Sequence, residues 1–292
     1  MTISTKKGKI APMGDAKMPD FEEFANLEFE GWSNATTAAS YADEFGKASE
    51  IAAPVLAAKS QVGGGSEVLD VCCGHGIVSA ELVKRGANVT GLDFSPAMLA
   101  MSRARVPNAT FLEGDALNLP FDSGTFDAVT CGLGLPHVPD QQRAIEEAAR
   151  VLKAGGRYVY SVWCGPEVDG AFAWFFKAVA DFGDPGIALP PGPDATNLGL
   201  AEVAGPILDD VGFAAPDITI VESRWHTKNP AAPFDNFDRG TVRGAALLRE
   251  QSAGARAAIR ERIEEIVVKK CDLVEGKYMI PIPSVVVSAT KL

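Results

Sequence analysis

The chain has 292 residues, with 27 Lys and Arg against 38 Asp and Glu and a formal net charge of −11. That length is enough for one large domain with a substantial core. Lys6-Lys7, Lys84-Arg85 and Lys269-Lys270 are its only basic doublets, so it lacks the basic face that nucleic acid or an anionic lipid surface requires.

Residues 1–20 mix Lys, Gly, Pro and Asp with little periodicity and are expected to form a flexible tail. Residues 21–62 read as a helical N-terminal cap, with Phe21, Phe24, Leu27, Trp32 and Tyr41 set in a polar, alanine-rich background. After the breaker Gly63-Gly64-Gly65-Ser66 the rhythm alternates. Strands are expected at Val68–Val71, Asn88–Asp93, Ala109–Glu113, Phe126–Cys131 and Arg157–Trp163. Helices are expected at Ile77–Lys84, from Ser95-Pro96 onward, and from Asp140 to Lys153. Strands alternating with helices predict a parallel sheet with helices on both faces.

Beyond Trp163 the alternation breaks. Val168–Phe182 reads as an aromatic amphipathic helix, 184–197 as a Pro/Gly loop and Leu200–Gly212 as a helix. Strands are expected at Ile218–Trp225 and Ile280–Ser288, with a mostly helical insert at 230–272 between them.

The five cysteines are odd in number, two of them adjacent (Cys72, Cys73), and their spacing fits no zinc pattern. Reduced thiols, a cytoplasmic location and no bound metal are expected. No apolar run is long enough to cross a bilayer, so no membrane partner is expected.

Val68-Leu-Asp-Val-Cys-Cys-Gly-His-Gly76 is the most informative stretch. A strand ends in Asp70, a glycine loop follows, and the next strand ends in Asp93. This is the first half of a nucleotide-binding α/β unit, in which a second acid can accept hydrogen bonds from ribose hydroxyls. In a dinucleotide site the loop cradles a pyrophosphate at a helix N-terminus, so Asp70 would repel the ligand. The third glycine of that fingerprint is also replaced, by Ser79. A ligand bringing a cation suits Asp70 better, and S-adenosylmethionine carries an ammonium and a sulfonium beside its ribose.

Val68–Gly76, Gly91–Leu99, Gly114–Ala116, Phe126–Thr130 and Ala149–Gly156 together resemble the ordered motifs of class I S-adenosylmethionine-dependent methyltransferases. Gly132–Pro139 is similar to the corresponding segment of the ubiquinone/menaquinone C-methyltransferase-like branch. The resemblance spans roughly 65–165. It implies an α/β, Rossmann-like, seven-stranded, mostly parallel sheet with an antiparallel last strand, a helical cap and helical insertions over 166–292. It further implies that Asp70, Gly74 and Gly76 face the methionine end of the cofactor, that Asp93 binds the ribose, and that Phe94 and Met98 pack on the adenine. Asp115 and Ala116 would then meet the adenine edge, Tyr41 the cofactor carboxylate, and Cys131 would join the cofactor set. The insert is longer than the quinone enzymes usually have.

His137 is the candidate base, because it follows the fourth strand at the carboxyl edge of the sheet. Trp32, Trp163, Trp174 and Phe175 are the candidate substrate contacts, with the aromatic helix as a lid. The expected reaction is methyl transfer to oxygen or carbon of a small, partly apolar metabolite, with a homodimer left open. An enzyme of another class using the same cofactor and a non-catalytic cofactor-binding module stay as alternatives. A nicotinamide-dependent oxidoreductase is disfavoured by Asp70 and Ser79.

Overall fold

A computed structural model describes residues 21–292; the expected tail at 1–20 lies outside the described residues. Its helices and strands follow the chain as α1 (Glu22–Ser33), α2 (Ala35–Ser40), a π-helical turn (Tyr41–Phe45) and α3 (Gly46–Lys59), then β1 (Glu67–Val71), α4 (Ile77–Lys84), β2 (Asn88–Asp93), α5 (Pro96–Arg105), β3 (Thr110–Glu113), β4 (Phe126–Gly132), α6 (Gln141–Val151) and β5 (Leu152–Trp163). The second half adds α7 (Ala171–Phe182), α8 (Ala201–Asp210), β6 (Asp217–Val221), β7 (Arg224–Thr227), α9 (Ala232–Gly240), α10 (Val242–Arg249), α11 (Ala253–Lys270), β8 (Leu273–Val274), β9 (Lys277–Pro281) and β10 (Ser284–Thr290).

Seven strands form the main sheet in the order β3-β2-β1-β4-β5-β10-β6. All pairs are parallel except those of β10, which runs antiparallel to both β5 and β6. The strand order reverses between β1 and β4, so the crevice outside their carboxyl ends is the expected ligand site. Asp70, Asp93 and Gly132 reach that edge. The helix starts follow local chemistry. Ser95 Oγ caps α5 by accepting from the Met98 N–H at 3.2 Å, with Pro96 at the first position. Asp140 caps α6 by accepting from the Arg143 N–H at 2.9 Å.

Three expected boundaries are corrected. Helix α6 ends at Val151, and β5 starts at Leu152 rather than Arg157; a register irregularity opposite Phe126–Ala128 absorbs the Gly155-Gly156 turn. The expected strand Ile218–Trp225 is two strands in two sheets, because the chain turns at Glu222-Ser223, where the Ser223 N–H bonds the Val221 carbonyl at 2.8 Å. The expected strand Ile280–Ser288 is likewise divided, at Ile282-Pro283. The freed halves β7 and β9 join β8 in a small antiparallel sheet.

The apolar interior has two main parts. One lies between the sheet and α6 and α8, around Leu69, Val129, Ile145, Val151 and Phe213. The other joins the end of the π-turn to α7, α9, α11 and the small sheet, around Phe45, Trp174, Phe175, Trp225 and Phe237. All five cysteines are free. No helix of the described residues is long and apolar enough to cross a membrane.

Candidate active site

The crevice at the switch point is a cavity roofed by α1, the π-turn and α3. Its floor carries Asp70, Gly74, Asp93, Phe94, Met98, Asp115 and Ala116, and its apolar walls include Trp32, Tyr41, Leu133 and Val138. Three carboxylates line it, and among the described residues no lysine or arginine does.

Each acid is fixed by its own neighbours. Asp70, at the end of the buried strand β1, is fully buried; Ser79 Oγ donates to its Oδ2 at 2.6 Å and Thr130 Oγ1 to its Oδ1 at 2.8 Å. Burial pushes its carboxyl up to about 6, although both hydroxyls pull the other way. Asp93 accepts from the Gly74 N–H at 2.8 Å and the Ser95 N–H at 2.9 Å, one on each oxygen. Burial raises it too, against those bonds. Each Asp93 oxygen keeps a lone pair for a ligand hydroxyl. Asp115 takes the Leu117 N–H on Oδ1 at 2.9 Å, leaving Oδ2 free of protein partners among the described residues.

Tyr41 enters from the π-turn, the kind of helix irregularity that re-aims a side chain. Its hydroxyl lies 3.2 Å from Ser49 Oγ, and burial raises its pKa, which keeps it a neutral donor. Phe94 stacks on Phe29 of α1 with centroids 5.5 Å apart, so one of its faces is covered by the cap.

His137 is half-buried and lines both this cavity and a neighbouring one bounded by Glu28, Glu113, Asp115 and Leu117. His137 Nδ1 lies 2.9 Å from Glu28 Oε2, and the Trp32 N–H donates to the same oxygen at 2.9 Å. Glu28 is absent from the residues the sequence pointed to. Its signal was an acid on the stripe Phe24–Glu28–Trp32, three buried positions one helical turn apart. His75 is buried against the cap and lines the cavity; burial lowers it to about 4, and its Nε2 has no partner among the described residues.

Five expected site residues are corrected. The Gly76 N–H bonds the Cys73 carbonyl at 2.9 Å, and a Cβ on Gly76 would come within 3.2 Å of the Ser102 backbone, so this glycine serves the fit of α4 on α5. Gly74, by contrast, stays on the cavity floor, with its N–H engaged by Asp93. Cys131 is enclosed in the core beneath the sheet, and Cys72 lines the cavity instead. Trp163, Trp174 and Phe175 belong to the second core. Phe175 stacks on Phe237 at 4.1 Å and 12°, and the Trp174 N–H donates to Asp169 at 2.7 Å. The expected lid helix is therefore interior packing, with only Phe176 and Phe182 of its rings exposed.

These residues fit a ligand with a cationic centre beside a ribose and a flat base. Asp70 supplies negative charge near the glycine loop, Asp93 presents open lone pairs, and Phe94 and Met98 lie where a base would pack.

A family model described as a methyltransferase domain matches residues 69–160. A demethylmenaquinone methyltransferase of Clavibacter sepedonicus is 34% identical over 188 residues, 61% of this chain and 69% of that protein. One of Staphylococcus epidermidis is 48% identical over 101 residues, 32% of this chain and 42% of that protein. The chain spans about half the length of the first curated relatives it matches. The crystal structure of the YcgJ protein from Bacillus subtilis superposes with a TM-score of 0.54 at 18% identity, covering 82% of this chain and 97% of that one. That likeness is one of fold.

Proposed function

Because this chain belongs to the class I S-adenosylmethionine-dependent methyltransferases, we propose that it transfers a methyl group from that cofactor to an oxygen or carbon of a small, partly apolar acceptor. The observation that carries this reading is the cavity with three carboxylates and, among the described residues, no lysine or arginine. Such a lining favours a cationic cofactor and disfavours a pyrophosphate.

When bound, S-adenosylmethionine supplies an electrophilic methyl on its sulfonium. Asp93 holds the ribose hydroxyls on the lone pairs left by the Gly74 and Ser95 N–H groups. Phe94 and Met98 pack on the adenine, with Asp115 and the neighbouring Ala116 at its edge. Asp70 provides charge toward the cationic end of the cofactor, each of its oxygens already accepting from one hydroxyl. Tyr41 donates to the cofactor carboxylate. The cap helix α1 covers the cavity with Trp32 and keeps water from the reacting atoms.

His137 takes the proton that a hydroxyl or an activated carbon must lose. Its Nδ1 faces Glu28, which leaves Nε2 for the acceptor. The acceptor is met by Trp32, Leu133 and Val138, apolar walls suited to a ring or chain. The relatives' names refer to demethylmenaquinone. This chain carries α9, α10, α11 and a second sheet outside residues 69–160, so phenolic and polyketide-like acceptors are to be tried beside quinols.

Calorimetric titration with S-adenosylhomocysteine, with NADH as comparator, tests the cofactor. Micromolar binding of the first, lost in Asp93→Ala, supports the reading and justifies a methyl-transfer screen over phenols, quinols and polyketide-like acceptors. Binding of NADH alone overturns it.

A further inference from the structure

The N-terminal cap does more than cover the cavity. Phe24, Glu28 and Trp32 form one buried stripe of α1, and its last two members, an acid and an indole, reach the site. Glu28 is 1% exposed, and a carboxylate buried so deeply is costly unless it is paired. Its Oε2 receives the Trp32 N–H and faces His137 Nδ1, each at 2.9 Å. Its Oε1 is buried with no partner among the described residues. His137 is therefore the one titratable group hydrogen-bonded to it there. The indole of Trp32 also packs edge-on against the imidazole, with centroids 5.0 Å apart, which limits how the ring can turn.

From this geometry we propose that Glu28 is the positioning residue for His137. It holds the imidazole as the Nδ1–H tautomer, with Nε2 bare toward the acceptor, and balances the imidazolium once the proton has moved. The inference rests on His137 being the base. No acid–base role passes to Glu28 itself: the proton leaves the acceptor for His137 Nε2 and stays there until solvent removes it. This is the division of labour in which a buried acid orients a histidine without being protonated.

The same helix is tied to the cofactor loop. The Ser95 hydroxyl donates to the Trp32 carbonyl at 2.7 Å, while the Ser95 N–H donates to Asp93. The base is thus complete only when α1 is docked on the start of α5, beside the acid proposed to hold the ribose. Other charged groups bear on His137. Asp93 lies within electrostatic range, Glu113 and Asp115 share its second cavity, and Arg243 of α10 is close enough to Glu28 to feel its charge.

The test is an NMR titration of the three histidines in the full chain, labelled with 15N and saturated with S-adenosylhomocysteine, for the parent and for Glu28→Gln. Glutamine keeps an acceptor for Trp32 and removes the charge. The expected parent spectrum shows neutral His137 protonated at Nδ1. In Glu28→Gln the neutral ring should lose its preference for the Nδ1–H form and populate both tautomers, with affinity for S-adenosylhomocysteine within twofold of the parent. An Nε2–H tautomer in the unaltered chain overturns the proposal without any variant. So does an unchanged tautomer in Glu28→Gln, since an acid that only satisfied Trp32 would alter stability and leave His137 alone. Failure of the parent to bind S-adenosylhomocysteine would instead count against the methyltransferase reading. Once an acceptor is known, kcat should fall about a hundredfold in Glu28→Gln with little change in the cofactor KM, and Glu28→Asp should recover part of it.

Discussion

The Ser79 hydroxyl donates to Asp70 Oδ2 at 2.6 Å, inside the core and out of reach of solvent. The pairing explains why a serine stands where a dinucleotide-binding loop has its third glycine. A glycine there allows close helix–strand packing, whereas here the position must supply a donor. With Thr130 on the other oxygen, Asp70 keeps a defined orientation without any cation from the protein.

A charge held in this way makes stability depend on pH. Asp70 is pushed up to about 6 by burial, whereas an unfolded aspartate titrates near 3.9. Between these values the folded chain holds a proton that the unfolded chain has released. Stability therefore falls as pH rises from about 4 to about 6, by roughly 3 kcal/mol in all. Without ligand, Asp70→Asn should gain on the parent at pH 7.5 and keep only about half of that advantage at pH 5, as read by denaturant midpoints at the two values. With S-adenosylmethionine the order should reverse, the parent binding at least tenfold more weakly at pH 5 than at pH 7.5. Equal pH profiles for parent and Asn variant would remove the charge from the account.

A second network secures the side proposed to meet the adenine. Glu147 of α6 is almost fully buried and accepts from Arg143, twice from Arg150, and from the Leu119 N–H at 2.8 Å. Arg150 also donates to the Leu119 and Phe121 carbonyls. These bonds tether the loop that follows Asp115 and Ala116. Glu147→Ala should cost about 3 kcal/mol near neutral pH and weaken S-adenosylhomocysteine several-fold. The Arg150 guanidinium holds this carboxyl below its ordinary value. Its stabilisation is therefore complete above the unfolded value, about 4.3, and is lost as pH falls from there through the folded one, so parent and variant should draw together over that range. Urea melts at pH 7 and pH 3.5 would check the difference.

How far the chain could be read from its residues depended on whether the signal was local. Each strand of the parallel half is a short apolar run closed by a turn residue, and the Asp70 and Asp93 positions follow from where such runs end. The split of Ile218–Trp225 has no such signal. Alternation stops at Ile220-Val221, and the polar run Glu222-Ser223-Arg224 that follows holds no glycine or proline; the competing partners, β10 for one half and β9 for the other, divide the segment. The break between β9 and β10 did carry one, because Pro281 and Pro283 cannot donate to a ladder.

The site shows the same limit. Trp32 and His137 were readable one at a time, but Glu28 joins them over 109 residues of sequence from His137. The aromatic run of α7 misled for the opposite reason. Trp174 and Phe175 have the composition of a lid, and their partners Phe237 and Asp169 lie in segments whose packing the pattern does not encode.

Gly134 offers a third prediction, where the constraint is space rather than backbone angle. A Cβ there would come within 2.3 Å of Cys72 Cβ and 2.8 Å of Cys131 Sγ, both on segments fixed by the sheet. Gly134→Ala should therefore displace the Gly132–His137 loop at a cost of about 2 kcal/mol. Gly134 accepts the His137 N–H at 2.9 Å through its carbonyl, so the imidazole should move with it. A lowered melting temperature together with a shifted His137 resonance is the expected pair of results. A change in stability alone would mean that the loop yields without carrying the imidazole.

Phe175 separates interior packing from a lid most cleanly. It is fully buried, lies flat on Phe237 and has no atom at the cavity. Phe175→Leu keeps most of the apolar volume and loses the ring stacking, at about 1–2 kcal/mol. The denaturation midpoint should drop accordingly, while calorimetric affinity for S-adenosylhomocysteine stays within twofold. With an acceptor in hand, its KM should also be unchanged. A ring that closed over substrate would behave in the opposite way, leaving the midpoint nearly fixed and raising the acceptor KM. The contrast with Trp32 sharpens the comparison, because that residue does line the cavity and Trp32→Ala should raise the acceptor KM.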